Sequence, residues 1–261
     1  MMFPDMSVFV HALLASLIAG IFTGIGGFCI FFKKKYSKTN INAMLNIAAG
    51  VMLSAAIFSL LVPSMSEIMS ANINHYKGAF HYCGAVFFGV SLVWILNDLL
   101  PHEHNHIGHH GPFFNLKKAW LFIIAISLHK LPEGLAVGVA YGAHDLLNPL
   151  SLVLGIALHN IPEGLIMAIA LYGAGKSKMK AALTALLMGM LQPIGALIGV
   201  VLTGFDVYII PSAMAMAGGT LMFVVINEIL PETYGVKKTD KSAAAVFGGF
   251  IFMTFIFMVL H

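Results

Sequence analysis

The chain contains no arginine and only two cysteines, and just 10% of its 261 residues are charged. An ordinary soluble domain carries roughly 25% charged residues, so this chain cannot coat a soluble globule in the usual way. Cys29 and Cys83 belong to no metal or redox motif, and burial as small packing residues is the expectation for both. The formal net charge of +3 is small, and the placement of the lysines, set out below, accounts for it without nucleic-acid binding.

What the chain has instead is apolar length. Hydrophobic residues make up 59% of it, and runs of about twenty such residues mark helices that span a bilayer. The pattern predicts an all-α integral membrane protein with eight spans, at residues 8–32, 41–63, 79–100, 118–142, 148–173, 181–204, 211–232 and 243–260. The connections are short, so residues 1–261 read as one polytopic domain. The first run does not fit a secretory signal peptide. No basic residue precedes it, it is too long, and the basic cluster KKKYSK at 33–38 follows it.

Every basic residue is a lysine, fourteen in all, and their positions set the orientation. Lys33, Lys34, Lys35 and Lys38 follow span one, and Lys117 and Lys118 precede span four. Lys176, Lys178 and Lys180 follow span five, and Lys237, Lys238 and Lys241 follow span seven. These twelve all fall in alternate connections, whereas the opposite set holds only Lys77. By the positive-inside rule the lysine-bearing connections are cytoplasmic and both termini are external.

The fourteenth lysine lies inside a span, in a duplicated segment. Residues 128–135 read LHKLPEGL and residues 158–165 read LHNIPEGL, thirty positions apart. An ionisable group at mid-membrane costs roughly 2.5–3.5 kcal/mol on insertion scales, so such groups generally face a partner or a polar cavity. His129 and Glu133, like His159 and Glu163, are four residues apart and share a helix face. Two such helices side by side present imidazoles and carboxylates to one point, a donor set suited to a divalent transition metal. Pro132 and Pro162 lack an N–H and leave the carbonyls of Leu128 and Leu158 without helix partners. Such groups are tolerated at bilayer depth only beside protein or a polar cavity. Gly134 and Gly164 admit a close neighbour at the same level. A single copy could merely shape a helix; two copies on adjacent spans point to a site.

Other polar residues lie at similar depth. Gln192 precedes Pro193 in span six and offers a neutral oxygen, although a helix kink alone would also account for the pair. Asn227 and Glu228 precede Pro231 in span seven. The third connection carries His102, His104, His106, His109 and His110; it is either a weak metal-binding loop or a polar linker. A fainter echo links AGVMLSAAIFSLLVPS (49–64) with AGGTLMFVVINEILPE (217–232), 168 positions apart, as an inverted repeat would produce.

With HNIPEG preceded by HKLPEG, the chain resembles the ZIP (Zrt/Irt-like) family of divalent-metal transporters over essentially its whole length. LNDLLPHEH (96–104) and NEILPE (227–232) are similar to the bacterial, GufA-like branch. The resemblance implies a 3+2+3 bundle in the cell membrane, with spans four and five lining a path between two inverted repeats. It also implies metal uptake into the cytosol, no cofactor beyond the carried ion, and often a homodimer. It assigns the metal to His129, Glu133, His159 and Glu163. Asn160 remains from the family's second-metal set, with Gln192 where Glu is common and Lys130 where Asn is usual. Protonated lysine donates and cannot ligate. Lys130 is therefore expected either to fill the second-metal position as a built-in cation, leaving a one-metal site, or to point away. The competing function is an intramembrane metal-dependent hydrolase, which the lack of an H-E-x-x-H arrangement and the symmetric duplication both weigh against.

Overall fold

The computed structural model describes residues 5–32, 37–71, 74–99, 102–104, 108–110, 118–143, 148–203, 209–231 and 240–260. These are helical apart from turns and one small ribbon. Helix α1 spans Met6–Phe28 and ends in a 3-10 turn, Cys29–Phe31. Helices α2 (Lys38–Ala56) and α3 (Val62–Ala71) join through a π turn, Ile57–Leu61. Helix α4 is His75–Leu99, and strands β1 (His102–His104) and β2 (Gly108–His110) follow. Helices α5 (Lys118–Gly142) and α6 (Pro149–Gly173) carry the duplicated segments. Then come α7 (Lys178–Gly189), α8 (Gln192–Thr203), α9 (Ile210–Val224) with a π turn at Val225–Ile229, and α10 (Asp240–Leu260).

Starts are written locally. Ser37, Asn148 and Ser177 cap α2, α6 and α7 by accepting from the N–H groups of Asn40, Leu150 and Lys180 at 3.2, 3.1 and 3.3 Å. Pro149 occupies the first turn of α6, where no N–H is needed.

Seven helical segments among the described residues are long and apolar enough to cross a membrane. They match seven of the eight expected runs, and α5, with 25 residues, covers the remaining one. Two expected segments differ in extent or continuity. Span two was expected to stop at 63, yet the helix continues to Ala71. Pro63 would strip the Ser59 carbonyl of its helix partner, and the preceding π turn widens the helix there. Span six is divided at Met190–Leu191, because Pro193 cannot donate to the preceding turn; Gln192 thus starts a new helix at mid-chain depth.

The packing pairs helices in a repeated pattern. Helix α6 lies on α1 as α5 lies on α8, and α10 lies on α2 as α4 lies on α9. Close approach depends on glycine. A Cβ on Gly164 would collide with the Thr23 carbonyl of α1, and one on Gly26 with the Ile161 carbonyl of α6. The other half mirrors this, with Gly134 against the Gln192 carbonyl of α8 and Gly195 against the Leu131 carbonyl of α5. Lipid tails give apolar side chains little reason to prefer each other, so backbone proximity and van der Waals contact hold such helices together. The two π turns begin 168 positions apart, as do Pro63 and Pro231 behind them, so the faint sequence echo coincides with a shared backbone device.

Among the described apolar segments, α4 and α10 are the least covered. Phe80, Phe87 and Trp94, and Phe247, Ile251 and Phe255, face outward, as lipid-exposed surfaces do. Cys83 lies on this open side of α4 and is exposed, contrary to the expected burial, while Cys29 is half-buried. A thiol facing lipid is still a small apolar residue, so composition alone could not tell the two placements apart.

Candidate metal centre

Helices α5 and α6 run through Pro132 and Pro162 without interruption and bring the two polar turns together. His129, Lys130, Glu133, His159, Asn160, Glu163 and Gln192 are all buried. Ligand atoms from Glu133, His159 and Glu163 lie within 4.8 Å of one another. His159 Nε2 is 3.7 Å from Glu133 Oε1 and 3.7 Å from Glu163 Oε2. Neither Glu133 Oε1 nor His159 Nε2 has a hydrogen-bond partner. Buried polar atoms are nearly always paired, so an open carboxylate oxygen beside an open imidazole nitrogen is the arrangement a cation would satisfy. His129 is buried one turn before Glu133, but it does not join this three-residue group.

Lys130 turns inward, not toward the membrane surface, and its side chain is fully buried. Its Nζ donates to Glu133 Oε2 at 2.8 Å, to Asn160 Oδ1 at 2.5 Å and to Glu163 Oε2. All three ammonium protons therefore have acceptors, and the cation is shared between the two carboxylates. Desolvating one ion costs several kcal/mol, so a charge here requires such compensation. Counted as fully ionised, two carboxylates and one ammonium carry one negative charge in excess before any imidazole is added.

Amides complete the network. Gln192 Nε2 donates to Glu133 Oε2 at 2.7 Å, and Gln192 Oε1 accepts from Asn160 Nδ2 at 3.1 Å. Asn160 Nδ2 also donates to the Ala19 carbonyl of α1 at 2.7 Å. The oxygen of Gln192 is thus taken up by Asn160, and Gln192 enters the cluster as a donor to Glu133. The division between α7 and α8 places it there.

Asn227 is not part of this cluster. Asn227 lies in the π turn after α9 and is exposed, and the side chain of Glu228 lies outside the described residues. In the histidine-rich connection, β1 and β2 pair antiparallel with His102 opposite His110, Glu103 opposite His109 and His104 opposite Gly108. His106 lies outside the described residues. Sequence reading missed one contributor to the cluster and one buried contact between α2 and α6. The Ala19 carbonyl is a backbone acceptor and has no residue signature. Ser59 and Ser151, both buried, hydrogen-bond each other at 3.3 Å between the π turn of α2 and the start of α6; single serines in apolar runs carry little signal.

The model of the ZIP zinc transporter family matches residues 99–257 of this chain. The zinc transporter GufA of Myxococcus xanthus is 35% identical over 242 residues, covering 92% of this chain and 94% of that protein. The zinc transporter ZIPB of Bordetella bronchiseptica is 34% identical over 247 residues, covering 94% and 80%. The zinc transporter ZupT of Streptococcus mutans is 30% identical over 251 residues, covering 93% and 94%. Long coverage at this identity, together with the paired His–Glu helices, places the protein among multi-pass membrane carriers of divalent metal ions: the chain belongs to the ZIP zinc transporter family.

Proposed function

We propose that this protein carries a divalent transition-metal ion, Zn²⁺ foremost, into the cytosol, binding one ion at a time between α5 and α6. The observation that supports this reading most is the unpaired Glu133 Oε1 and His159 Nε2, 3.7 Å apart and buried, beside Glu163. Imidazole and carboxylate donors favour Zn²⁺ over Mg²⁺ or Ca²⁺, with Fe²⁺, Mn²⁺ and Cd²⁺ as competitors. The relatives are named zinc transporters, which supports the same ion. His129, buried one turn away on α5, completes the ligand set.

Lys130 stands where a second ion would otherwise sit. Its Nζ engages Glu133, Asn160 and Glu163, and Gln192 closes the same pocket through Asn160. A resident ammonium there repels a second cation and leaves one metal position. The chain spans the membrane eight times in this reading, α5 included, with both termini outside; the seven apolar segments and the lysine distribution support it. The mirrored contacts of α1 with α6 and α8 with α5 support two inverted repeats around a central pair, so the site can open to either side by movement of the repeats. A homodimer accords with the family resemblance. The histidine-rich ribbon is an accessory metal contact at the cytosolic face, and Asn227 and Glu228 are polar steps of the path.

Uptake by purified protein in liposomes tests this reading. Wild type should accumulate Zn²⁺, and Glu163→Ala and His129→Ala should not. Equal accumulation by both variants and wild type would remove the assignment.

A further inference from the structure

We infer that Lys130 and Gln192 set the metal preference of the site by occupying carboxylate oxygens, so that an arriving ion meets single oxygens and not chelating pairs. This rests on the transport reading above and adds a selectivity mechanism to it. The two carboxylates are not free on both oxygens. Glu133 Oε2 accepts from Lys130 at 2.8 Å and from Gln192 at 2.7 Å, and Glu163 Oε2 accepts from Lys130. Only Glu133 Oε1 is left open on that residue. Asn160, bonded to Lys130, Gln192 and the Ala19 carbonyl, fixes both donors in place.

The consequence follows from coordination chemistry. Zn²⁺ is content with about four N and O donors, each carboxylate giving one oxygen. Larger ions such as Ca²⁺ take about six to eight oxygens and use carboxylates in bidentate fashion, and Mn²⁺ favours an oxygen-rich octahedron. To chelate through Glu133, such an ion must displace two donors from Oε2, leaving Gln192 Nε2 buried without that acceptor and Lys130 short of one of its three. A low-coordination ion needs neither displacement. Charge acts in the same direction: with Lys130 in place the pair of carboxylates offers a net single negative charge, which weakens the hold on every ion. The ion that gains from imidazole nitrogen is weakened least.

Competition uptake into liposomes tests the inference, with Zn²⁺ against Mn²⁺ and Zn²⁺ against Cd²⁺, in wild type, Lys130→Asn and Gln192→Leu. Lys130→Asn should reduce the Zn²⁺-over-Mn²⁺ ratio about tenfold, as expected when one charged hydrogen-bonding group is lost. Gln192→Leu leaves the charge unchanged and frees Glu133 Oε2 of one donor, so it should move the ratio the same way by a smaller factor. Should either variant fail to transport, the ratio of equilibrium binding constants for the same metals on detergent-purified protein gives the same readout. Ratios equal to wild type in both variants, with wild-type uptake intact, would overturn the inference and leave the transport reading standing. No uptake of any divalent ion by wild type would remove both.

Discussion

Lys130 and Asn160, the residues by which the two LHxxPEGL segments differ at the position after histidine, hydrogen-bond each other: Nζ donates to Oδ1 at 2.5 Å. The difference is complementary. A donor-only side chain on α5 meets an amide on α6 whose oxygen accepts and whose nitrogen passes the bond on to Gln192 and the Ala19 carbonyl. Two segments of matching pattern thus divide the work between a cation and its acceptor.

Removing the cation should cost stability. Lys130→Met leaves Glu133 and Glu163 facing each other in a buried site, and breaking a buried ion pair from one side costs roughly 3–5 kcal/mol. Thermal unfolding in detergent should show a lower midpoint for Lys130→Met, and adding Glu163→Gln should restore part of the loss. An unchanged midpoint for the single variant would mean that the ammonium does not balance these carboxylates.

The helix contacts at the site predict a steric result. A Cβ at position 134 or 164 meets the carbonyl of Gln192 or Thr23, which cannot move without its helix. Gly134→Val and Gly164→Val should each destabilise by about 1–3 kcal/mol and lower uptake by pushing α8 or α1 off the central pair. Gly84 and Gly248 have open space around them, so the same change there should leave unfolding midpoints within experimental error.

Orientation can be checked with a membrane-impermeant thiol reagent. In a Cys29→Ser/Cys83→Ser background, Tyr76→Cys should react from outside intact cells if the proposed topology, read from the lysine distribution, holds. Met179→Cys should react only after the cells are permeabilised. Both side chains are exposed, so a missing reaction cannot be ascribed to burial. The reverse pattern would invert the topology.

Much of the site was legible because polar residues stand out in an apolar run. His129, Glu133, His159 and Glu163 were chosen on spacing and depth, and the fold buries all four. Periodicity could not say which imidazole would join the carboxylates, since His129 and His159 occupy equivalent positions and only the packing of α1, α2 and α8 separates them. Gln192 was found through its proline, but its role as donor to Glu133 depends on the break at Met190–Leu191. Span two runs past its expected end at 63, because a π turn takes up Pro63 within a continuing helix. The eight apolar runs were legible from composition, whereas the exposure of Cys83 was not: lipid and protein interior ask for the same residues.

The ligand assignments predict a graded uptake series. Glu133→Ala, His159→Ala and Glu163→Ala should each lower Zn²⁺ transport about 100-fold or more, at least the loss seen when groups supporting a metal ligand are removed. Asn227→Ala should lower it only severalfold, because this residue lies outside the central cluster. Loss at Asn227 as deep as at Glu163 would move the binding step away from α5 and α6.

Anomalous diffraction from crystals soaked in Zn²⁺ or Cd²⁺ reads directly whether one ion is held beside Lys130. A single strong peak among Glu133, His159 and Glu163, with Lys130 Nζ still on Asn160, is the predicted result. Two adjacent full-occupancy peaks, or a peak in the place of the ammonium, would contradict it.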